Sequence, residues 1–536
     1  MAAGRITREH APQHEVSRRL SRRFQVSLVG EGALVGLVAG ALVTLYRLSL
    51  SGAERLLRGL TGAAAGSPLL MAAWFAVLVV ILVVVSRLLL WEPFTSGSGI
   101  PQVDAEVIGR IDMPWHRVIP AKFAEGTLLA LAGLSLGREG PSVQLGAMAG
   151  KALSRGLGRK RGEERLLVTC GAAAGMSAAF HAPLTGVLFA LEEIHKQFSA
   201  PLIISVMCSA VASDFLVSQV LGVAPVLSLA LVSDLPHIDY ALVILLGVLC
   251  GALGAAHNRG MFACQQGFSR IGGHLPYSRL AVPFALSGVA AFAWPDLMCG
   301  GDAILEQILS PQALTIGAIA ALLVGKYVFT TMSFSSGAPG GTLFPLVVMG
   351  ALVGGLFSSL STNLVGLSPA FFPNFVALGI AGLFAGVVRA PITAVVLVFE
   401  LTGSFDALLA VSIVSILAYV TANLLRTDAF YDHLLAALLG TDPDDPQVSG
   451  LADGGEKVLR TVHVAAASHL EGKLVREVAW PDNVRVMTIE RAGTEIVATG
   501  DTRLYALDEL LFIVDADAAE DASLKLGLMC GTHLRE

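Results

Sequence analysis

Residues 136–146, Leu-Gly-Arg-Glu-Gly-Pro-Ser-Val-Gln-Leu-Gly, carry the clearest chemical signal in the sequence. Arg138 and Glu139 lie between apolar segments long enough to enter a bilayer, where each charge costs roughly 2.5–3.5 kcal/mol and usually marks a pathway. Gly137 and Gly140 permit a sharp bend, and Pro141 suits the first position of a helix. A bend that opens a helix presents free N–H groups and a positive dipole end, which together suit an anion.

Glu139 lies where such an anion would bind. Its carboxylate can mimic the anion, leave when the anion arrives, and carry a proton when it is neutralised. The alternative is a buried Arg138–Glu139 pair inside a helix bundle. A pair alone does not call for the two glycines and the proline, so we favour the anion site.

Four further stretches contain residues suited to the same chemistry. Gly97-Ser-Gly-Ile-Pro101 places a hydroxyl, Ser98, on a flexible backbone beside a helix start, although alone it could be a turn. Residues 336–345 form a second glycine-rich bend into a helix and supply N–H donors without a charge. Leu191-Glu192-Glu193 ends an apolar segment with two carboxylates, and Tyr431 adds a phenol after the last apolar segment.

The composition is that of a polytopic membrane protein with a soluble part. The 536 residues are 54% hydrophobic and 15% charged, whereas soluble domains carry about 25% charged residues. Residues 1–24 are rich in arginine, which predicts a cytoplasmic N-terminus. The first apolar segment is long enough to span the bilayer, and no cleavable signal peptide precedes it. The six cysteines lack metal-ligand spacing, so no metal site is expected.

The apolar segments occur in two related sets. Pro141 to Ala147 resembles Pro345 to Ala351, 204 residues later, and Ala182-Pro183 through Glu192 resembles Ala390-Pro391 through Glu400, 208 residues later. Two matches at nearly one offset indicate a duplicated unit. Several apolar segments are too short for a straight span and are interrupted by Gly and Pro, which predicts broken or re-entrant helices that line a cavity. In transporters, such repeats place the substrate at their interface near the midplane.

A soluble tail follows. Residues 441–457 are polar and acidic and predict a linker. Beyond it, alternating patterns predict strands near 462, 484–489, 495–498 and 510–514, a short helix over 468–478, and a turn at 492–493. A core of this size gains stability from dimerisation.

Residues 97–101, 137–141 and 336–345, in this order, resemble the signature of the CLC chloride channel and transporter family, over about residues 25–440. The resemblance implies an all-α polytopic membrane fold with two inverted halves, about 25–235 and 236–440, and broken helices. It also implies a homodimer with one pore per protomer. The family loop commonly has its aromatic residue one position before Phe344, and we expect the site to survive because its donors are backbone N–H groups.

The resemblance also implies roles for individual residues. Ser98 and Tyr431 would supply hydroxyls to a central chloride site, which the amides of Thr342 and Leu343 would complete. Amides near Arg138 and Gly140 would line an outer site. Glu139 would be the gating glutamate, which also exchanges protons with the outside. Glu193 would be the inner proton-transfer glutamate typical of antiporters, but the doublet alone leaves Glu192 as an alternative. Retention of Ser98 argues for chloride over fluoride.

Residues 489–493, 500–504 and 508–510 resemble the TrkA-C (RCK C-terminal) regulatory domain, although Leu507 stands where that family usually has Gly. The resemblance implies a small cytoplasmic α/β domain, here 458–536. It would either clamp the dimer or bind a small ligand such as a cyclic dinucleotide.

The predicted function is proton-coupled chloride antiport (H+/Cl− exchange) across the cell membrane, with both termini cytoplasmic. The rival function is a passive voltage- or pH-gated chloride channel of the same fold. A third class, an osmotic or nucleotide sensor, rests only on the tail. We expect no enzymatic activity, because HExxH, GxSxG and Walker-type motifs are lacking. The expected partners are chloride, protons, the lipid bilayer and a second copy of the chain, with no cofactor and no nucleic acid.

Overall fold

The computed structural model divides the chain into two compact units, Met1–Pro443 and Asp444–Glu536, and each is described by itself. It describes residues 11–159, 161–196, 200–222, 229, 231–232, 235–271, 277–310, 314–441, 457–465, 468–481, 484–491, 494–515 and 519–531. Most of the predicted linker, residues 442–456, and the first ten residues of the predicted basic segment lie outside these ranges.

The first unit is helical throughout its described length. Its helices are α1 (Ala11–Ala64), α2 (Pro68–Trp91), α3 (Ile100–Val107), α4 (Trp115–Ala132), α5 (Glu139–Gly156), α6 (Arg161–Phe180), α7 (Pro183–Phe189), α8 (Ala200–Leu221), α9 (Tyr240–Ser269), α10 (Tyr277–Ala293), α11 (Asp302–Ile308), α12 (Ile316–Ser335), α13 (Leu343–Val365), α14 (Phe372–Val388), α15 (Pro391–Thr402), α16 (Leu408–Leu424) and α17 (Phe430–Leu439).

Seven helical segments in the described part of this unit are long and apolar enough to cross a membrane. Others are much too short: α3 has 8 residues, and α7 and α11 have 7 each. At about 1.5 Å per residue, such helices reach only part of the way through a hydrocarbon core. The broken helices predicted from the Gly and Pro interruptions are therefore present.

The duplicated unit is visible in the hydrogen bonds. The Gly137 and Gly341 backbones, 204 residues apart, pair with each other: Gly137 N–H donates to Gly341 O (2.6 Å) and Gly341 N–H donates to Gly137 O (2.9 Å). The equivalent bends of the two halves thus meet directly. α5 and α13 begin just after them, so both helices start at this shared point.

A reciprocal pair of carboxylate caps joins the halves a second time. Glu400, at the end of α15, accepts hydrogen bonds from the N–H groups of Leu184 and Thr185 in α7 (2.8 and 2.7 Å). Glu192, after α7, accepts from the N–H groups of Ile392 and Thr393 in α15 (3.3 and 2.9 Å). Each half therefore supplies the acceptor for helix N–H groups that have no partner within their own helix.

The second unit contains a four-stranded antiparallel sheet in the order β1-β4-β2-β3 and one helix. The elements are β1 (Lys457–His463), β2 (Arg485–Arg491), β3 (Thr494–Val497), β4 (Glu509–Asp515) and α18 (Ala519–Met529). Leu526 of α18 packs on Phe512 and Val514 of β4, which builds a small core on one face of the sheet.

Three local expectations need correction or lie outside the described residues. The segment 468–478 forms turns with only a 3₁₀ segment at Val475–Glu477, because its backbone N–H groups pair with residues 500–504 instead of forming a helix. Pro141 is the third residue of α5 rather than the first, since the helix already begins at Glu139. The predicted turn at 492–493 falls outside the described ranges.

Leu507 adopts the left-handed conformation that its family usually assigns to Gly, with φ of +68°. The turn is held by Asp508, which is buried and accepts two hydrogen bonds from Arg491 (2.8 and 2.7 Å). These hydrogen bonds raise the pKa of Arg491. Asp508 also accepts from the N–H of Tyr505 at 2.8 Å.

We expect Leu507→Gly to stabilise the second unit by about 1 kcal/mol, because it relieves the left-handed strain and the Leu507 side chain is 83% exposed. This stabilisation should appear as slower hydrogen exchange of the β4 amides in the full-length protein. Leu524→Gly is the matched control: that leucine is also exposed but lies in the middle of α18, where glycine should speed exchange. Faster exchange in Leu507→Gly would contradict the prediction.

Candidate functional site

Three loops that the sequence separates widely meet at the candidate site. The Gly97 N–H donates to Gly337 O (3.3 Å) and the Gly340 N–H donates to Gly97 O (3.0 Å), which joins the first predicted stretch to the third. The Gly137–Gly341 pairing joins the second stretch to the same point. All three predicted motifs therefore form one backbone cluster at the starts of α3, α5 and α13.

Glu139 is the first residue of α5 and is completely buried. Its Oε2 accepts a hydrogen bond from the Phe344 N–H in the first turn of α13 (3.2 Å), whereas Oε1 has no partner among the described residues. The carboxylate from one half thus accepts a hydrogen bond from a backbone N–H at the start of α13 in the other half. Such a position favours negative charge because the helix dipole and the free N–H groups point at it.

Arg138 does not form the buried pair that was the alternative for this motif. Its guanidinium lies over the Phe344 ring, 5.1 Å from the centroid, and the ion pairs of the described residues include none between Arg138 and Glu139. Arg138 immediately precedes α5 and marks its start.

Gly140 brings α5 into contact with the serine loop. A Cβ atom at this position would overlap the Oγ and backbone oxygen of Ser98. Only glycine lets the first turn of α5 lie this close to the hydroxyl.

Ser98 and Tyr431 place two hydroxyl groups in the interior. Ser98 is 2% exposed and Tyr431 is 1% exposed, and the phenol faces Ser98 and Thr342. The phenol lies near the Ser98 and Thr342 hydroxyls, but neither Ser98 Oγ nor Tyr431 Oη makes a hydrogen bond of normal geometry among the described residues. Because an unsatisfied buried hydroxyl costs about 1–3 kcal/mol, two of them together call for an acceptor at this place.

Thr342 and Leu343 lie where the sequence predicts them, immediately before α13 and at its first residue, and both are buried. The N–H that contacts a carboxylate is, however, that of the next residue, Phe344. The sequence analysis did not single out this amide. The displaced aromatic residue was the available signal, since it marked the position where the loop departs from the family pattern.

Lys122 is a second residue that the sequence analysis missed. It is fully buried in α4, and its Nζ donates to the backbone oxygens of Thr95 (2.7 Å) and Gly97 (2.8 Å), just before Ser98. Lys326, 204 residues later in α12, donates in the same way to Leu297 (3.2 Å) and Cys299 (2.8 Å). A lysine in an apolar segment at the repeat offset was the sequence signal for both.

Glu192 and Glu193 are separated by their partners, although they are adjacent in sequence. Glu192 caps the N-terminus of α15, where it also accepts a hydrogen bond from the Thr393 hydroxyl at 2.7 Å. Glu193 is 6% exposed, and the charges that act on its carboxyl include those of Asp432, Lys196 and Asp104. Both glutamates lie in a π-helical turn at Ala190–His195.

One acidic cluster elsewhere has the spacing of a cation site, namely Glu106, Asp112 and Glu164. Each of its carboxylates already contacts a cation of the protein. Lys151 Nζ lies 2.5 Å from both Glu106 and Asp112, and Arg155 contacts Asp112 and Glu164. The cluster therefore fixes the end of α3 and gives no reason to assign a metal.

Comparison with known proteins identifies the membrane unit. The family model described as "voltage gated chloride channel" matches residues 77–423, which is more than half of the chain. The chain belongs to this family. A second model, the TrkA-C domain, matches residues 459–527 in the tail.

Individual relatives agree with this assignment. The chain is 33% identical to the "H(+)/Cl(-) exchange transporter ClcA" of Cronobacter sakazakii, over 68% of this chain and 79% of the relative. It is 31% identical to the protein of the same name from Salmonella gallinarum, over 82% and 95%. The solved structure of a slow cyanobacterial Cl−/H+ antiporter is 26% identical and superposes with a TM-score of 0.73, covering 77% of this chain and 98% of that one.

Both resemblances drawn from the motifs are thereby confirmed, as is the fold class: a CLC-type helical membrane fold with broken helices and a small α/β C-terminal domain. The chain is a multi-pass membrane protein.

We expect Gly140→Ala to destabilise the protein by about 1–3 kcal/mol, because the added methyl group must displace the Ser98 loop. Thermal unfolding of the purified protein in detergent measures this loss. Gly156→Ala, at the other end of the same helix, faces open space and should leave the midpoint unchanged or raised. Equal midpoints for the two variants would show that α5 does not approach Ser98 this closely.

Proposed function

We propose that this protein is a proton-coupled chloride antiporter of the cell membrane, working as a homodimer with one pathway in each protomer. Its N- and C-termini are cytoplasmic in this proposal, as the arginines of residues 1–24 favour. The proposed chloride ligands are the hydroxyls of Ser98 and Tyr431 and amides around Arg138, Gly140, Thr342 and Leu343. Glu139 and Glu193 are the proposed proton carriers.

The observation that carries this proposal is the pair of buried hydroxyls without a protein acceptor, at Ser98 and Tyr431. They lie beside the first turns of α5 and α13, whose free N–H groups favour an anion. Chloride accepts hydrogen bonds and has no directional preference of its own. A site of neutral donors, without a full positive charge in contact, can bind this ion and still release it.

Coupling follows from competition between Glu139 and the anion. Ionised Glu139 accepts from Phe344 N–H and holds a donor that an anion in the pathway would use. Protonation removes the charge and weakens that hydrogen bond, since charge-assisted bonds are roughly twice as strong as neutral ones. Glu139 then leaves, chloride takes its place, and the return of the carboxylate requires release of the proton.

Glu193 is the proposed inner proton carrier, because the neighbouring carboxylate is already engaged as a helix cap. The relatives named exchange transporters support antiport over a passive channel, as does the presence of Glu193.

The TrkA-C match supports a regulatory role for the tail. We propose that two tails associate across the dimer, since a sheet with a core this small gains buried area by pairing. A small ligand such as a cyclic dinucleotide stays a prediction from the family resemblance alone.

Joint recording of chloride and proton flux from purified protein in liposomes tests the function. We expect wild-type protein to move protons against their gradient when a chloride gradient drives it. Glu139→Gln should transport chloride without protons, because glutamine resembles the protonated carboxyl and cannot titrate. Chloride flux in wild-type protein that ignores the proton gradient would indicate the passive channel, and intact coupling in Glu139→Gln would contradict the gating role.

Glu193→Gln should abolish proton movement while chloride flux persists. Glu192→Gln should keep the coupling but lower the thermal midpoint, because an amide replaces a carboxylate that accepts from two N–H groups and a hydroxyl. Glu400→Gln is the matched control, since it weakens the equivalent cap in the other half. Uncoupling by Glu192→Gln, with coupling intact in Glu193→Gln, would reverse the assignment.

A further inference from the structure

A lysine bridges α17, which carries Tyr431, and α3, which begins two residues after Ser98. Lys196 follows the π-helical turn and adopts a left-handed backbone conformation (φ +53°) that few non-glycine residues take. Its Nζ lies 2.6 Å from Asp432 Oδ1 and 3.8 Å from Asp104 Oδ2. Asp432 follows Tyr431 in α17, and Asp104 lies in α3, the helix that begins beside Ser98. The strained backbone places the ammonium between these helices.

Asp104 provides an independent sign that protons are bound here. Asp104 is 3% exposed, and its Oδ1 has no hydrogen-bond partner among the described residues. A buried carboxylate oxygen without a donor is costly unless the carboxyl carries a proton or contacts water. Asp432 is the more accessible carboxyl, with 25% of its side chain exposed against 4% for Asp104. The solvent-exposed fraction of the side chain therefore decreases from Asp432 to Asp104.

Charged side chains on several neighbouring elements act on the Glu193 carboxyl. The charges that act on its carboxyl are those of Asp432, Lys196, Asp104 and Glu192. Other ionisable groups on neighbouring elements have partners of their own: His195 with Thr169 of α6, Glu106 with Lys151, His433 with Asp428, and Glu164 with Arg155. α6 also carries Glu163 and Arg161 in its first turn, and Arg161 lines the cavity beside Glu106 and Asp112. Tyr431 faces Ser98 and Thr342, Arg165 lies at the cavity beside Glu106 and Asp112, and α7 contributes no ionisable side chain.

Among the described residues of this cluster, Lys196 is the one cation beside several carboxyls. Asp104 and Asp432 contact Lys196 directly, Glu193 feels its charge, and Glu192 is held by helix N–H groups. If Glu193, Asp104 and Asp432 were all ionised, their repulsion would act at low dielectric, where like charges strongly disfavour one another. Removal of the lysine or of its aspartate changes this balance in opposite directions.

We propose that Lys196, held by Asp432, is a positioning residue that sets the pH at which Glu193 and Asp104 load their proton from the cytoplasmic side. This inference rests on the proposed antiport and adds to it the groups that tune the inner proton station. Lys196 does not carry the transported proton. Its charge decides how readily the two buried carboxyls give theirs up.

The test compares Lys196→Met with Asp432→Asn in liposomes, with the same pH on both sides and a chloride gradient driving proton uptake. Lys196→Met removes the cation, so the carboxyls keep their protons to higher pH. The midpoint of the proton-flux profile should rise by about one pH unit, the low end of the shift that one neighbouring charge produces. Asp432→Asn leaves the cation unbalanced, and the midpoint should fall by a similar amount.

The double variant Lys196→Met with Asp432→Asn should return toward the wild-type midpoint, and Lys196→Arg, which keeps the charge, should stay near it. Arg159→Met is the matched control, because it removes an ion pair with Glu31 away from the cluster and should shift nothing. If Lys196→Met does not assemble, Asp432→Asn compared with Lys196→Arg still measures the downward shift.

The outcomes separate the two proposals. Opposite shifts, with chloride flux retained, support the role of Lys196. Loss of both fluxes together, or shifts in the same direction, would contradict it and indicate only a structural bridge between α3 and α17. Wild-type protein that moves chloride but no protons would overturn the antiport itself, whereas normal wild-type coupling with unshifted variants overturns only the inference about Lys196.

Discussion

A helix that breaks inside a bilayer leaves backbone N–H and C=O groups that water cannot reach, and each must find a partner within the protein. This constraint explains the polar residues of the membrane unit. Lys122 and Lys326 satisfy carbonyls before the short helices α3 and α11. Glu192 and Glu400 satisfy the N–H groups that open α15 and α7. The two lysines are fully buried and the two glutamates partly so, and all four serve the ends of broken helices.

At the candidate site, buried polar groups are only partly satisfied. Glu139 satisfies one N–H of α13 with one oxygen, and its other oxygen has no partner in the described structure. The hydroxyls of Ser98 and Tyr431 likewise have no hydrogen-bond partner in the described structure. Elsewhere in the described membrane unit, the repeat assigns carboxylates and ammonium groups to the ends of broken helices. Here it leaves neutral donors beside one carboxylate, which is the arrangement that the proposed exchange of chloride for Glu139 requires.

Much of this arrangement could be predicted from the sequence, because the glycine-rich motifs have few alternative uses at membrane depth. The repeat offset of 204 residues identified the two glycine-rich bends as equivalent, and the structure shows that they pair at Gly137 and Gly341. The sequence could not separate Glu192 from Glu193, since the partners that distinguish Glu192, the α15 N–H groups, lie 200 residues away in the chain. It also missed Lys122 and Lys196, whose roles depend on carbonyls and carboxylates far away in the chain. In the tail, the pairing of residues 468–478 with a distant loop overrode their local helical pattern.

The reciprocal caps also bear on how the chain is made. The α7 N–H groups are capped by a residue 216 positions further along the chain. At typical synthesis rates of 5–20 residues per second, that acceptor emerges roughly ten to forty seconds after α7 has been translated. During this interval the first half has a helix end inside or beside the membrane that it cannot satisfy alone. Its final packing must therefore wait for the second half, so the two inverted units are one cooperative folding body rather than two domains that mature in turn.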